Sequence, residues 1–390
     1  MRIVFYEMKK IWNMKMLLII TALCAFFYLM FLEYEVDFPN GHPAAEVFDL
    51  SIQMTKEYGL TLEEAEHAAF VAKTRGELIV KAESYIQSMP IFAQAGIHTY
   101  ADYEKVDEKE EQTELESEAI WTLLREACGF VGFQLEALDY IEASYDQAGY
   151  VAYLLSKSAS ERETARLLEI QETKEYRNIM SSWVFENTVN YSIYLSILAV
   201  LAVLILVSPL IASDRARNMH LLQYSAKQGR SMIGRQFAAV MLSAFLLATL
   251  LLTVFGALYS TNGTWVLWKN AMTSFLGSYG FFLFRMTYGQ YILACIALIY
   301  MLCLGAAAFA FVLSRFSQNL IALILKLIPF FGLMGALASG VFLHAFHYGN
   351  ILYTGTGIFG IEAIACGMVL LAGLAAAVYT VRRERKVDVV

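Results

Sequence analysis

Few residues in this chain have the types and spacing to run chemistry, and most fail on context. Gly355-Thr-Gly357-Ile-Phe-Gly360 spells the dinucleotide fingerprint, whose glycines let a backbone approach a pyrophosphate after a strand, with an acid about 20 positions on. Here the glycines open an apolar run, and no acid follows at that distance. The P-loop pattern, H-E-x-x-H and the nucleophile elbow are all absent, so ATP phosphates, a catalytic zinc and an acyl-enzyme lose their usual cradles. His344 and His347 are the only close pair of histidines; three apart at the end of an apolar run, they read as interfacial rather than metal-ligating. Cys24, Cys295, Cys303 and Cys366 fall in apolar runs and Cys128 stands alone, so no metal spacing and no disulfide within that block is expected. The expectation is a chain with no catalytic residues, no metal and no cofactor of its own.

Two ionisable residues lie inside apolar runs, where such groups mark functional sites by default. Lys326 sits about two turns into one run and Glu362 a turn into another. Both are candidates for a transport path. Each also has a plainer reading: Lys326 can snorkel to the headgroups, and Glu362 can face water or His344. An intramembrane enzyme or a proton-coupled carrier needs more polar groups at midplane than these. Their scarcity favours a route for amphiphilic cargo, or a cavity formed between subunits.

The elements that position these residues are membrane spans. A chain that is 58% hydrophobic with a mean hydropathy of +0.50 is too apolar to be soluble at this length. Runs at 14–33, 188–211, 233–259, 288–313, 319–344 and 358–380 are each long enough to cross a bilayer as a helix. The first is preceded by Lys9, Lys10 and Lys15, but Phe31-Leu32-Glu33 offers no small-residue cleavage site, so it reads as an uncleaved anchor. The fold class expected is an all-α polytopic membrane protein with six transmembrane helices. Small residues supply its packing signal. Gly332, Ala336 and Gly340 recur every four positions, and Gly305-Ala-Ala-Ala308 forms a smooth patch; such faces let helices approach closely within a bundle or across a dimer.

Charge divides the chain sharply. The block 34–187, with Glu33 at its edge, carries 31 of the 36 acids against 12 Lys and Arg, a net −19, while the remainder is +12. Inside loops collect Lys and Arg, and a translocated domain is free to be acidic. The block is therefore expected to be an extracellular helical domain, with helices over 62–88, 107–128 and 160–184 opened by Thr61/Glu64 and Ser160/Glu163 capping patterns. The acidic stretch 107–118 has no EF-hand-like ligand pattern and reads as a solvated helix face. The loop 212–235 holds Arg215, Arg217, Lys227, Arg230 and Arg235 against Asp214, and the tail 381–390 is basic. Both termini are thus expected to be cytoplasmic. Residues 1–13 place Ile3, Val4, Met8, Ile11 and Trp12 on one helical face, as an interfacial amphipathic helix or a charged leader would.

This layout resembles the membrane (permease) subunit of type-2 ABC exporters, in which an interfacial helix, six spans and a coupling helix in the first inside loop dock onto a separate ATPase. Many carry a large external domain between the first two spans. The corresponding loop runs from Asp214-Arg215-Ala-Arg217-Asn218-Met219-His-Leu221-Leu222 through Ser225-Ala226-Lys227 to Gly229-Arg230, then Arg235, with Asn218 where Gly is usual and Ala226-Lys227 where Thr-Pro is. Ser314-Arg-Phe-Ser317 fits the short second inside turn. The resemblance implies that Asp214, Arg215, Arg217, Met219, Leu221, Leu222 and Arg230 couple to the ATPase, which would hold ATP and Mg. It also implies a second permease subunit, identical or paralogous, a multi-pass place in a bacterial plasma membrane among membrane lipid, and no nucleic-acid partner. The expected cargo is an amphiphile: an antimicrobial peptide, a lipid or a hydrophobic drug. A competing expectation is a sensor or scaffold whose acidic domain binds a cationic peptide, with the spans relaying the signal; the basic loop would then serve only to anchor topology.

Overall fold

A polar residue before three of the apolar runs sets where the helix begins. Asn13 accepts a hydrogen bond from Met16 N (3.1 Å), and Thr287 and Asn319 cap the fourth and fifth spans in the same way. The computed structural model describes residues 2–125, 129–145, 148–158, 160–216, 229–277 and 280–386. The chain is 80% helical, with no strand among the described residues and six helices long and apolar enough to cross a membrane. It is an all-α polytopic membrane protein. The spans are Met14–Val36, Ser182–Ile211, Met232–Asn262, Tyr288–Arg315, Leu320–Phe342 and Ile361–Glu384.

The second span is the central column. Two thirds (67%) of its apolar window is buried, against 11% for the first and fifth spans, and it packs on the first, third, fourth and fifth. The fourth and sixth spans make the closest pair. A Cβ on Gly373 would lie 2.9 Å from Gly305 O, and one on Gly305 would lie 2.8 Å from Val369 Cγ1, so the smooth patch at 305–308 is used inside the bundle. Gly332 has nothing within 4 Å of an added Cβ, and Gly340 meets only Ile351 and Leu352, at 3.8 Å. The 332–336 face is therefore open.

The first span runs three residues further than its hydropathy suggests. A π-helical segment, Tyr28–Leu32, precedes Glu33–Val36. The extra residue of a π turn rotates the helix beyond it, and here Leu32, Glu35 and Val36 become buried while Leu29, Met30 and Tyr34 stay exposed.

Between the first two spans lies a helical domain: Ala44–Tyr58, Glu64–Ser88, Pro90–Gln94, Tyr100–Asp107, Glu114–Arg125, Val131–Ser144, Ala148–Lys157 and Glu161–Thr173. Met54, Phe70, Phe92, Leu123, Leu138 and Ile141 form its core. The capping box falls at Glu63 and Glu66 rather than at Thr61 and Glu64, because Thr61 is engaged in a bridge with Asn178. The acidic 107–118 stretch is not one helix. It breaks after Asp107 and restarts at Glu114, where Thr113 and Glu116 cap each other. Hydrogen bonds from Lys109, then from Thr113, hold the Glu116 carboxyl down at about 2. The expected 160–184 helix also breaks. Lys174 takes φ 51°, and the chain runs extended from Asn178 to Ser181 before the second span begins. That break lets Ile179 enter the domain core while Met180 enters the bundle core.

Candidate functional site

Three polar assemblies organise the molecule, and the first lies at the base of the basic loop. In the N-terminal helix Arg2–Ile11, Glu7 is only 2% exposed. Its carboxylate accepts from Lys10 Nζ (2.9 Å) and from Gln236 Nε2 (3.3 Å). Gln236 also donates to Asp214 Oδ2 (3.2 Å), and Lys10 lies 3.5 Å from the same oxygen. Burial alone lowers a lysine's pKa, but the hydrogen bond to Glu7, then the charges of Glu7 and Asp214, leave Lys10 raised. Four side chains thus tie the amphipathic helix to Asp214 in the helix Pro209–Ala216 and to the start of the third span. Arg215 lies in the same short helix, and Arg230 in the first turn of Gly229–Tyr259. Arg217, Met219, Leu221 and Leu222 lie outside the described residues.

The second inside turn completes this end. Ser314 donates to Ser208 O (2.8 Å), joining the fourth span to the second. Arg315 forms a two-pronged pair with Glu384 of the sixth (2.9 and 2.6 Å). Lys326 donates to Phe316 O (2.8 Å), so its ammonium reaches back to cap the end of the fourth span. At this end every span but the first is thus cross-linked by polar contacts.

The second assembly is buried and lies at the domain end of the bundle. Asn187 donates to Glu35 Oε2 (2.6 Å) and Glu35 O (3.0 Å), and its own oxygen accepts from Tyr259 OH (2.8 Å). Thr188 stands 2.8 Å from the hydroxyls of Tyr259 and Tyr288, and Tyr288 donates to Thr264. Spans one to four are joined here. By charge alone Glu35 groups with the acidic domain; the signal it carries in the sequence is that of an acid within one turn of the end of an apolar run. Glu7 carries a fainter one, as the only acid before Glu33.

The third assembly joins the helical domain to the other two loops on its side. Arg166, 5% exposed, donates to Phe282 O (3.0 Å), Glu175 Oε1 (2.9 Å) and Glu169 Oε2 (3.0 Å). Tyr353 donates to Glu163, and Arg162 lies over the Phe359 ring. The two loops pair with each other through Leu283 N to Phe346 O (2.8 Å) and Tyr348 N to Phe281 O (2.9 Å). Phe275 and Leu276 reach into the domain core. Glu362 is wholly buried beneath this junction, accepting from Phe346 N (2.9 Å), where Phe346 takes φ 59°. His344 and His347 pack around Phe185 with ring centres 5.7 Å apart. Gly349 N donates to His347 Nδ1 (3.0 Å), so Nε2 carries the proton of a neutral ring. Burial, then the neighbouring His344, pushes His347 down to about 3. No metal-holding group of His, Cys, Asp and Glu occurs among the described residues.

Comparison with protein-family models, with curated proteins and with solved structures found no match. The capabilities of the molecule must then be read from its geometry: one end is braced beside a basic loop, and the other carries the acidic domain and the polar network around Asn187.

Proposed function

We propose that this chain is the permease subunit of an ATP-driven exporter for an amphiphilic substrate, with hydrolysis in a separate ATPase. The observation that carries the proposal is the four-residue clamp Glu7–Lys10–Asp214–Gln236 at the root of the basic loop. A loop that merely anchors topology has no need of a buried carboxylate joining it to a second amphipathic element, because each desolvated charge is costly unless paired. A loop that receives force does. In this reading Asp214–Arg230 passes ATPase closure to the spans, and both termini are cytoplasmic by the positive-inside rule. Two copies would pair through the open first and fifth spans, which are 11% buried, with Gly332 and Ala336 facing the partner and cargo moving between the bundles. The net −19 domain would be extracellular, where its field favours cationic cargo. An antimicrobial peptide is the first substrate to try.

Isolation from the host membrane in mild detergent tests the proposal. A stoichiometric ATPase should co-purify and be lost with Leu221→Asp/Leu222→Asp; its absence from the wild-type preparation sinks the reading. The docking of the acidic domain through Arg166 favours one second reading, a sensor that relays peptide binding to the spans. Peptide-stimulated ATP hydrolysis by the reconstituted pair supports export, whereas peptide binding with no change in hydrolysis supports sensing.

A further inference from the structure

The second, third and fourth spans do not close on one another completely. A cavity of 70 Å³ lies between them, with Thr188, Tyr191 and Ser192 on its inner wall and Leu252, Gly256 and Ile296 toward its mouth. Thr188 is six residues into the second span, Tyr259 three from the end of the third and Cys295 seven into the fourth. At 1.5 Å per residue the cavity lies roughly 5–10 Å below the domain end, where a lipid's polar end meets its chains. Gly256 is exposed and an added Cβ there would meet nothing within 4 Å, so the mouth faces the hydrocarbon sideways.

The lining chemistry narrows the occupant. No Asp, Glu, Lys or Arg lines the cavity, and a charged headgroup without a counter-charge would be strongly disfavoured at this depth. Tyr191 donates to Phe255 O (2.6 Å), Thr188 to Val184 O (2.8 Å) and Tyr259 to Asn187 (2.8 Å), and the Ser192 hydroxyl is engaged with Cys295. A phenol that donates in this way keeps acceptor capacity on its oxygen. The wall therefore asks for donors.

We propose that this lateral cleft binds a neutral membrane amphiphile by a polar end that carries hydroxyl or amide N–H donors, its chain lying between the third and fourth spans. An occupant that donates to the Tyr259 oxygen would join the polar network that runs through Asn187 to Glu35 on the first span. The site stands on cavity geometry and lining, independent of any ATPase.

The test uses the full chain in lipid nanodiscs with a monoacylglycerol bearing a diazirine in its acyl chain. Photolabelling should concentrate on residues 252–259 and 292–299 and be competed by unlabelled monoacylglycerol. The di-O-methyl analogue, which lacks donors, should label the cleft about threefold to tenfold less. Gly256→Phe should fill the mouth and remove cleft labelling. Labelling at the apolar groove between the first and fifth spans, lined by Met16, Leu327 and Phe331, should be unchanged. Tyr191→Phe keeps the ring but removes one acceptor, and should reduce the discrimination between probe and methyl ether. Equal labelling of cleft and groove, equal labelling by the capped analogue, or indifference to both variants would mean ordinary annular lipid and overturn the proposal.

Discussion

Arg166→Met is the most revealing single change at the domain junction. Arg166 and Glu175 are 5% and 4% exposed, and removing the cation leaves the Glu175 carboxylate buried without its partner. Breaking such a pair from one side costs about 3–5 kcal/mol. The lost hydrogen bond to Phe282 O adds about 1 kcal/mol, while the half-exposed contact with Glu169 adds little. Replacing both partners by apolar groups of similar volume is often neutral, so Arg166→Met/Glu175→Met should regain most of the loss. The assay is hydrogen exchange in detergent, followed at the Leu283 and Tyr348 amides, which close the paired loops beneath Arg166. A loss of about 4 kcal/mol, the lower end of that sum, should speed their exchange roughly 1,000-fold, while amides in the domain core around Leu138 keep their protection. The reasoning fails if the single variant changes these rates less than about threefold, as a surface pair would. It fails equally if the double variant is as labile as the single one.

Three further outcomes rest on the same kinds of contact. His347 is held near 3 when folded against 6.5 in the free side chain, so the unfolded chain binds the extra proton between those values. The contribution is complete above pH 6.5 and falls as the solution is acidified, by roughly 2 kcal/mol at about pH 5; His347→Gln should flatten the melting temperature between about pH 7 and 5. Glu362→Gln, which keeps an acceptor for Phe346 N, should melt near wild type, whereas Glu362→Ala should lose about 1–3 kcal/mol; loss of transport by a well-folded Gln variant would instead mark the carboxylate as part of the path. Gly305→Leu should destabilise by about 1–3 kcal/mol through overpacking against the sixth span. Gly332→Leu should leave the melt unchanged and lower the fraction of cross-linked dimer, and a dimer insensitive to it would place the pairing surface elsewhere.

Much of the architecture is legible in the sequence because a bilayer imposes a one-dimensional rule. Runs such as Tyr288–Arg315 declare themselves by hydropathy alone, and the division of charge at Glu33 and Glu186 separates domain from loops without any knowledge of contacts. Helix ends inside the acidic domain are less legible. The break at Lys174 and the shift of the capping box to Glu63 both depend on pairing of Thr61 with Asn178, more than a hundred residues away.

The candidate sites divide along the same line. Asp214, Lys326 and Glu362 stand out as charges in improbable places, but their partners do not. Gln236 holds Glu7 across 229 positions, and Asn187 holds Glu35 across 152. The sequence by itself determined the spans, the acidic insertion and the scarcity of charge within the membrane, because transfer from water to hydrocarbon depends on residue type. Tertiary structure alone decided that Glu7 clamps the basic loop, that Lys326 caps the fourth span, and that Gly305 rather than Gly332 is spent inside the bundle. Those outcomes depend on which face of each helix meets another, and a π turn in one span or an αL residue in a loop is enough to change the face.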